Sequence, residues 1–305
     1  IVEDDISKND TSIRRQWCEY EVWLCKQFGA PRAVIDLMRA NIDTHGYTHH
    51  GWKYKVDATR KSGDPFTSLF NSVLNGLWHL FIYCEHTHKT VEQARVSLLM
   101  FLQGDDNAAR HSDQIEIPFK TNMAKLGFEV QALYRDSLDL LEFCSNRLYP
   151  TTGGYALGPK PGKVLSKFGV IINPPIGVSQ KSLMKGIALG LQKQCNFIPP
   201  IKSVLDRVLL LTKDSEAVYL KKWHLFQDPL SEDPLFKTPL LSSTPATMHC
   251  LYVQYGWSNT FQVLWDDYVS TLNFGDKMDH PLAKLLFDRD TGGSQLIFGD
   301  FAICA

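Results

Sequence analysis

The sequence predicts an α+β fold in which short strands alternate with helices over the first half and helices dominate the second. Three observations predict it. The chain has 305 residues, 44% of them apolar, enough to bury one large core or two smaller ones. Between residues 1 and 150, short apolar runs bounded by turn residues alternate with stretches of helical period. From Gly162 onward the apolar residues follow helical spacing almost throughout.

The elements follow in order. Ile1 to Ile6 reads as a strand that ends in acids. Thr11 or Ser12 caps a helix running to about Gln27, with Ile13, Trp17, Tyr20, Val22 and Leu24 as its apolar and aromatic residues. Gly29-Ala30-Pro31 breaks it, and a second helix covers Arg32 to Asn41. Residues 44 to 58 alternate around Gly46 and Gly51, as a hairpin does. From Pro65 or Phe66 to about Cys84 one stripe carries Phe66, Leu69, Phe70, Val73, Leu77 and Leu80, the mark of a helix. Thr90-Val91-Glu92-Gln93 has capping-box spacing, whereas Val96 to Leu102 reads as a buried strand, so a turn of helix followed by a strand is expected. Gly104 to Asn107 is a tight turn. A helix over 114–125 ends at Gly127, and strands are expected at 128–133 and 138–144. Helices then follow at 162–169, 179–193, 200–212 and 215–223. Residues 227–245, rich in Pro, Ser and Asp, read as a loop, and 246–290 holds helical patches including Thr260 to Leu272.

Composition bounds the function. No apolar run comes near the roughly 20 residues that span a bilayer. The net charge of −1 lacks the basic excess usual for phosphate-binding proteins, although an acidic metal site would offset local basic surface. The seven cysteines include no Cys-x-x-Cys pair and suit a reducing, cytosolic setting. The groups His45, His49, His50 and Cys84, His86, His88 lack the second pair that a zinc site at finger spacing needs. The first residue is Ile, and the chain reads as a piece of something longer.

Three polar clusters carry the chemistry. They are Asp4-Asp5 to Asp10, then Ser62-Gly63-Asp64-Pro65-Phe66-Thr67 to Asn71, then Gly104-Asp105-Asp106. Each alone reads equally well as a solvated loop, a helix cap or a turn. In this order and spacing they resemble motifs A, B and C of the RNA-dependent RNA polymerases of positive-strand RNA viruses. Asp5 and Asp10 match the Asp-x4-Asp of motif A. Ser62, Gly63, Thr67 and Asn71 match the Ser-Gly-x3-Thr-x3-Asn of motif B, with a helix following. Gly104, Asp105 and Asp106 match the Gly-Asp-Asp of motif C. The resemblance covers about residues 1 to 170.

The resemblance implies a polymerase palm, an antiparallel sheet with packed helices, over residues 1–150, with part of the fingers at about 11–60. A mostly helical thumb would occupy 151–226, with 227–305 as its extension or as a linker with helices. The N-terminal fingers would be largely absent, and the fragment alone is expected to be inactive. Asp5, Asp105 and Asp106 would be the catalytic and metal-binding carboxylates for two Mg2+ or Mn2+ ions. Carboxylates from neighbouring strands suit hard divalent ions, and two such ions roughly 3.5–4 Å apart stabilise both ends of an in-line displacement at phosphorus. Asp10, Ser62, Gly63, Thr67 and Asn71 would bind the substrate, with Asp10 and Asn71 among the groups that select ribose. Lys120 and Lys125 are the candidates for the motif D general acid, though no lysine follows Phe128 closely as it does in many relatives. Phe143 to Arg147 resembles motif E, and Arg147, Lys160 and Lys163 are the candidate RNA contacts. The six aromatics from Tyr252 to Tyr268 fit a core or interface better than base stacking.

The function so implied is template-directed transfer of a nucleoside monophosphate to an RNA 3′-hydroxyl. Partners would be an RNA template, primer or product, NTPs and other viral replication proteins. The setting would be a membrane-associated complex in host cytoplasm, with the chain released from a viral polyprotein. Two alternatives stand beside it. A reverse transcriptase-like enzyme is disfavoured by Gly-Asp-Asp and by Asp10 with Asn71. The other is an interaction domain whose acids are surface residues.

Overall fold

The computed structural model describes residues 1–113, 116–171, 174–218 and 239–292. It divides into two compact units, Ile1–Asp136 and the chain from Ser137 onward. The units divide at 136, short of the palm end expected near 150. The physical reason is Tyr149, which is fully buried in the core of the second unit, so the strands around it belong there.

The first unit is built on a four-stranded antiparallel sheet. Its strands are β1 (Val2–Ile6), β4 (Leu98–Gln103), β5 (Asp106–His111) and β6 (Val130–Tyr134), in the order β4-β5-β1-β6. β2 (Asp43–Tyr47) and β3 (Lys53–Asp57) form a separate hairpin. The helices are α1 (Asn9–Ser12), α2 (Arg15–Gln27), α3 (Arg32–Ile42), α4 (Thr67–Thr87), α5 (Val91–Ser97) and α6 (Phe119–Lys125).

Helix α4 organises this core. It buries Phe70, Leu74, Trp78 and Ile82, spaced by four, against the core that holds Val2, Ile6 and Ala109 of the sheet. Trp78 meets Phe128 at 4.1 Å and Trp17 edge-on at 5.3 Å between ring centres. Such aromatic pairs contribute about 0.5–1.5 kcal/mol beyond their buried area. Gly76 brings the helix close to β4: a Cβ there would stand 2.7 Å from Leu102 Cδ1. That contact accounts for a glycine inside a helix, where it ordinarily costs about 1 kcal/mol relative to alanine.

The change of period at residues 97–98 appears as expected. Thr90 and Gln93 form a complete capping box, and α5 passes directly into β4. Elsewhere local signals yield to tertiary contacts. The helix expected from 11 to 27 is two helices, because Ile13 is extended, fully buried, and accepts a hydrogen bond from Thr59 N at 3.2 Å. Neither Thr11 nor Ser12 caps α2, since both hydroxyls donate back to Lys8 O. α4 starts at Thr67, and Asp64 hydrogen-bonds Asn41 rather than capping it. α6 starts only after Pro118, which disfavours helical backbone at the residue before it. Residues 114 and 115, where this helix was expected to begin, lie outside the described residues.

The second unit opens with a 3-10 turn, Leu138–Leu140, where a strand was expected. Ser137 Oγ accepts from Asp139 N and closes the turn. A three-stranded antiparallel meander follows: β7 (Glu142–Phe143), β8 (Asn146–Thr151) and β9 (Gly154–Pro159). Cys144 and Ser145, both left-handed, join β7 to β8 as a type I′ turn does. Then come α7 (Pro161–Leu165), α8 (Gln180–Cys195), α9 (Pro199–Leu211), α10 (Pro245–Tyr255), α11 (Asn259–Thr271) and α12 (Pro281–Thr291). α7, α9, α10 and α12 begin with Pro, whose fixed φ suits a first helical turn.

α10 to α12 share one core with α8 and α9, so residues 245–291 are an integral part of this unit rather than an appended linker. The aromatics mostly fill that core. Trp257, Trp265 and Tyr255 are buried, whereas Tyr252 is 58% exposed. Trp265 Nε1 donates to Pro200 O at 2.8 Å, which satisfies its one polar atom. Of the helix expected over 215–223, residues 216–218 are not helical. The rest of it from 219, and the loop expected from 227 as far as 238, lie outside the described residues.

Candidate active site

The sheet brings the first and third polar clusters to the same end. β1 is flanked by β5 and β6, and its register sets Asp4 opposite Asn107. Continuing that register by one residue sets Asp5 beside Asp106, the first residue of β5. The two-residue turn Gly104-Asp105 joins β4 to β5. Gly104 has φ +65° and Asp105 does not have positive φ, the pattern of a type II′ turn, in which glycine suits the first position.

Asp5 is exposed, and Asp105 and Asp106 are half-buried. The Asp5 carboxyl is pushed above the ordinary carboxylate range, first by partial desolvation, then by the negative charge of Asp105, then by that of Asp4. The carboxylates of motifs A and C thus lie within each other's field.

These groups fit a divalent ion chemically. They are hard oxygen donors, and the like charges that lift Asp5 are the charges a cation would neutralise. Among the described residues no three His, Cys, Asp or Glu side chains form a closed metal-ligand cluster. Magnesium does not need one, because it keeps several waters and is held by one or two carboxylates together with substrate phosphates.

The second cluster closes on the first. The left-handed backbone at Lys8 turns the chain from β1 into α1, where Asp10 sits. Ser62 Oγ donates to Asp10 Oδ2 at 2.5 Å, and Asn71 Nδ2 donates to Asp10 Oδ1 at 3.2 Å. Asp10, Ser62 and Asn71 therefore form one hydrogen-bonded group, as expected from their motifs. Thr67 is not part of it: its hydroxyl donates to Lys61 O at 2.7 Å and secures the loop that enters α4. Gly63 is exposed, and a Cβ there would meet nothing within 4 Å.

Several functional neighbours were missed in the sequence. Ser72, Asn75 and His79 lie at i, i+3 and i+7 on α4, on the side that faces the site. Gly104 N donates to Ser72 Oγ at 2.8 Å, and Asn75 Nδ2 donates to Gly104 O at 3.3 Å and Asp105 O at 3.0 Å. The helix of motif B thereby holds the turn of motif C. His79 Nε2 lies 2.5 Å from Asp4 Oδ2 and its Nδ1 lies 2.9 Å from Asn75 O. Both side chains of the His79–Asp4 pair are fully buried. Asn107 Nδ2 also donates to Asp4 Oδ2, at 3.2 Å. The available signal was polar residues at buried-face spacing in an otherwise apolar helix.

The remaining candidates lie on α6 and in the second unit. Lys125 is exposed on α6 and donates to Asn122 Oδ1 at 3.0 Å, and Lys120 is exposed on the same helix. In the second unit the Arg147 side chain is only 11% exposed. It pairs with Glu142 at 2.7 Å and lies 5.3 Å over the Tyr255 ring, committed to internal contacts rather than to an open phosphate site. Lys160 is buried and paired with the same Glu142, and Lys163 is half-buried. Arg147 and Lys160 are thus held by Glu142 rather than presented on an open cationic patch.

A sheet end carrying opposed carboxylates, with a polar group fed from the following helix, is the arrangement of a template-directed polymerase palm. The model of the RNA-dependent RNA polymerase family matches residues 1–178, more than half of the chain, and the chain belongs to that family. Among solved structures, the Sicinivirus 3Dpol RNA-dependent RNA polymerase superposes with a TM-score of 0.54 at 12% identity, over 72% of this chain. At that identity the likeness speaks for the fold alone. The chain spans about half, 48%, of the length of that polymerase chain. No curated protein sequence matches it. Among the described residues no helix is long and apolar enough to cross a membrane.

Proposed function

We propose that this chain supplies the catalytic palm and the thumb of an RNA-directed RNA polymerase that extends an RNA 3′-hydroxyl with NTPs during viral genome replication. The observation that carries the reading is that β1 and the Gly104-Asp105 turn bring Asp5 and Asp105 to one end of the sheet, beside the Asp10–Ser62–Asn71 group.

Asp5 and Asp105, with Asp106 as auxiliary, would hold two Mg2+ or Mn2+ ions. Bound there, such ions stabilise charge on the attacking and leaving oxygens of an in-line displacement. The protein's own part is geometric. β1 and the Gly104-Asp105 turn present the carboxylates, and Ser72 and Asn75 fix the turn. Asn71 is buried, Asp10 half-buried and Ser62 exposed, and their polar atoms would meet the ribose. A site built to bond a hydroxyl rejects the analogue that lacks it, because its polar atoms are left unpaired. That favours an RNA product over DNA.

Lys120 or Lys125 would serve as the motif D lysine that protonates the leaving pyrophosphate. The partners would be an RNA template with its primer or product and other viral replication proteins, in a membrane-associated complex in host cytoplasm.

The test is primer extension by the full-length protein carrying Asp5→Asn or Asp105→Asn. The expected result is a loss of at least 100-fold in rate for each, on the order of the cost of removing a main electrostatic stabiliser from a transition state. Polymerisation at near wild-type rate in either variant would take these carboxylates out of the mechanism.

A further inference from the structure

We infer that Arg60 is a positioning residue that fixes which way the Asn71 amide faces, and through it the discrimination between ribo- and deoxyribonucleotides. The inference rests on the ribose-binding reading of Asn71 above and adds the residue that makes Asn71 competent for it.

Donor and acceptor polarity fix the orientation of the Asn71 amide. Glu21 of α2 holds two of the three guanidinium nitrogens of Arg60: Nη1 donates to Oε2 at 3.1 Å, and Nη2 pairs with Oε1. Both side chains are nearly closed to solvent, at 6% and 4% exposure. The remaining nitrogen, Nε, donates to Asn71 Oδ1 at 2.9 Å. A guanidinium can only donate and a carboxylate can only accept. Asn71 lies between Arg60 and Asp10, so its oxygen must face Arg60 and its amino group must face Asp10. Turning the amide by 180° would set N–H against N–H on one side and C=O against carboxylate on the other. With one amino hydrogen given to Asp10, the second is the donor left for a ligand.

The backbone supplies an independent reason. Ala58 and Thr59, the residues just before Arg60, have φ of 56° and 62°. Two consecutive non-glycine residues in the left-handed region are costly, and a β-branched threonine there is an outlier. Such backbone persists only where its surroundings over-determine it. Here three successive amides are anchored on two other segments: Ala58 N to Ile42 O at the end of α3 at 2.7 Å, and Thr59 N to Ile13 O at 3.2 Å and Arg60 N to Asp10 O at 2.7 Å, both on α1 and its C-terminal end. The last anchor is the carbonyl of the residue whose carboxylate Asn71 contacts. Arg60 therefore holds Asp10 through its main chain and Asn71 through its side chain. The strained pair before it delivers both contacts at once.

A buried Glu21–Arg60 ion pair that merely stabilised the unit would make different demands. Replacing both members by apolar residues of similar size would then change stability and overall rate together, without changing the choice of sugar.

The experiment compares single-nucleotide incorporation of an NTP and its dNTP by the full-length protein, as the ratio of kcat/KM values. The variants are Arg60→Lys, the pair Glu21→Leu with Arg60→Met, and Asn71→Ala, each with its thermal midpoint. Arg60→Lys keeps a cation against Glu21 while losing the rigid fork, so it decides the question where the double variant does not fold. The expected result is an NTP:dNTP ratio lowered about tenfold in each Arg60 variant, the scale of one lost charge-assisted hydrogen bond. Combining Asn71→Ala with Arg60→Lys should lower it no further than Asn71→Ala alone. A ratio within twofold of wild type in the Arg60 variants, with Asn71→Ala lowering it, would overturn the role of Arg60 and leave the ribose reading intact. An unchanged ratio in Asn71→Ala itself would overturn both.

Discussion

Replacing Asn75 by alanine tests how far the motif B helix controls the motif C turn. Asn75 is fully buried, and its amide donates to the carbonyls of Gly104 and Asp105 at 3.3 and 3.0 Å. Each such bond contributes about 0.5–1.5 kcal/mol net, so the pair is worth about 1–3 kcal/mol. If the bonds serve to hold Asp105 where the reaction needs it, the loss appears in the transition state. Since each 1.36 kcal/mol is a factor of ten in rate, kcat/KM should fall about 5- to 160-fold. The assay is primer extension by the full-length protein, with a thermal melt of the same variant. Ser72→Ala removes the acceptor for Gly104 N at 2.8 Å and should act on the same turn. Because both side chains converge on Gly104, the double variant should fall short of additivity by about 0.5 kcal/mol or more. A variant that melts lower yet keeps kcat/KM within twofold would refute the claim that the clamp positions the turn.

Other consequences are testable with equal directness. His79→Ala leaves the Asp4 carboxylate buried without its main partner and should cost about 3–5 kcal/mol of stability, read by urea denaturation; a change under 1 kcal/mol would show that the pair contributes little. Burial pushes the Cys195 and Cys250 thiols up to about 12. At pH 8 almost none of either is thiolate, so both should resist iodoacetamide in the folded protein and react once it is unfolded. Peptide mass spectrometry that found either one labelled as fast as in urea would contradict this burial. Asn71→Asp should keep the bond from Arg60 but set a second carboxylate against Asp10, lowering kcat/KM for NTPs more than Asn71→Ala does. Equal losses in the two variants would mean that charge at this position does not matter.

Much of the first unit was legible because its signals are local. The capping box at Thr90 and Gln93, the glycine of the Gly104-Asp105 turn and the hairpin around Gly51 each depend on a few neighbouring residues. Asp5, Asp10, Ser62, Asn71 and Asp105 were singled out by their resemblance to polymerase motifs, and the fold brings the acids of β1 to the turn that ends β4. Arg60 and Glu21 were not found, because 39 residues separate them and periodicity carries no information about which side chains meet across a fold. The same holds for Asp4 and His79, which are 75 residues apart. The break at Ile13 is a tertiary effect, since its carbonyl serves Thr59 rather than a fourth residue along a helix. The burial of Arg147 and Lys160 was not legible for a related reason. A basic residue in or beside a turn looks solvated until its partner, here Glu142, is known. The unit boundary at 136 has no compositional mark. It follows from where the Tyr149 ring packs.

Catalysis by this site requires the carboxylates of β1 and the β4–β5 turn to share metal. The direct measurement is anomalous diffraction from crystals of the full-length protein, soaked with Mn2+ together with an RNA primer–template and a non-hydrolysable NTP. The prediction is a pair of ions roughly 3.5–4 Å apart, each within bonding distance of an Asp5 or Asp105 oxygen. Manganese bound elsewhere, with Asp5 and Asp105 unliganded beside an ordered nucleotide, would contradict it.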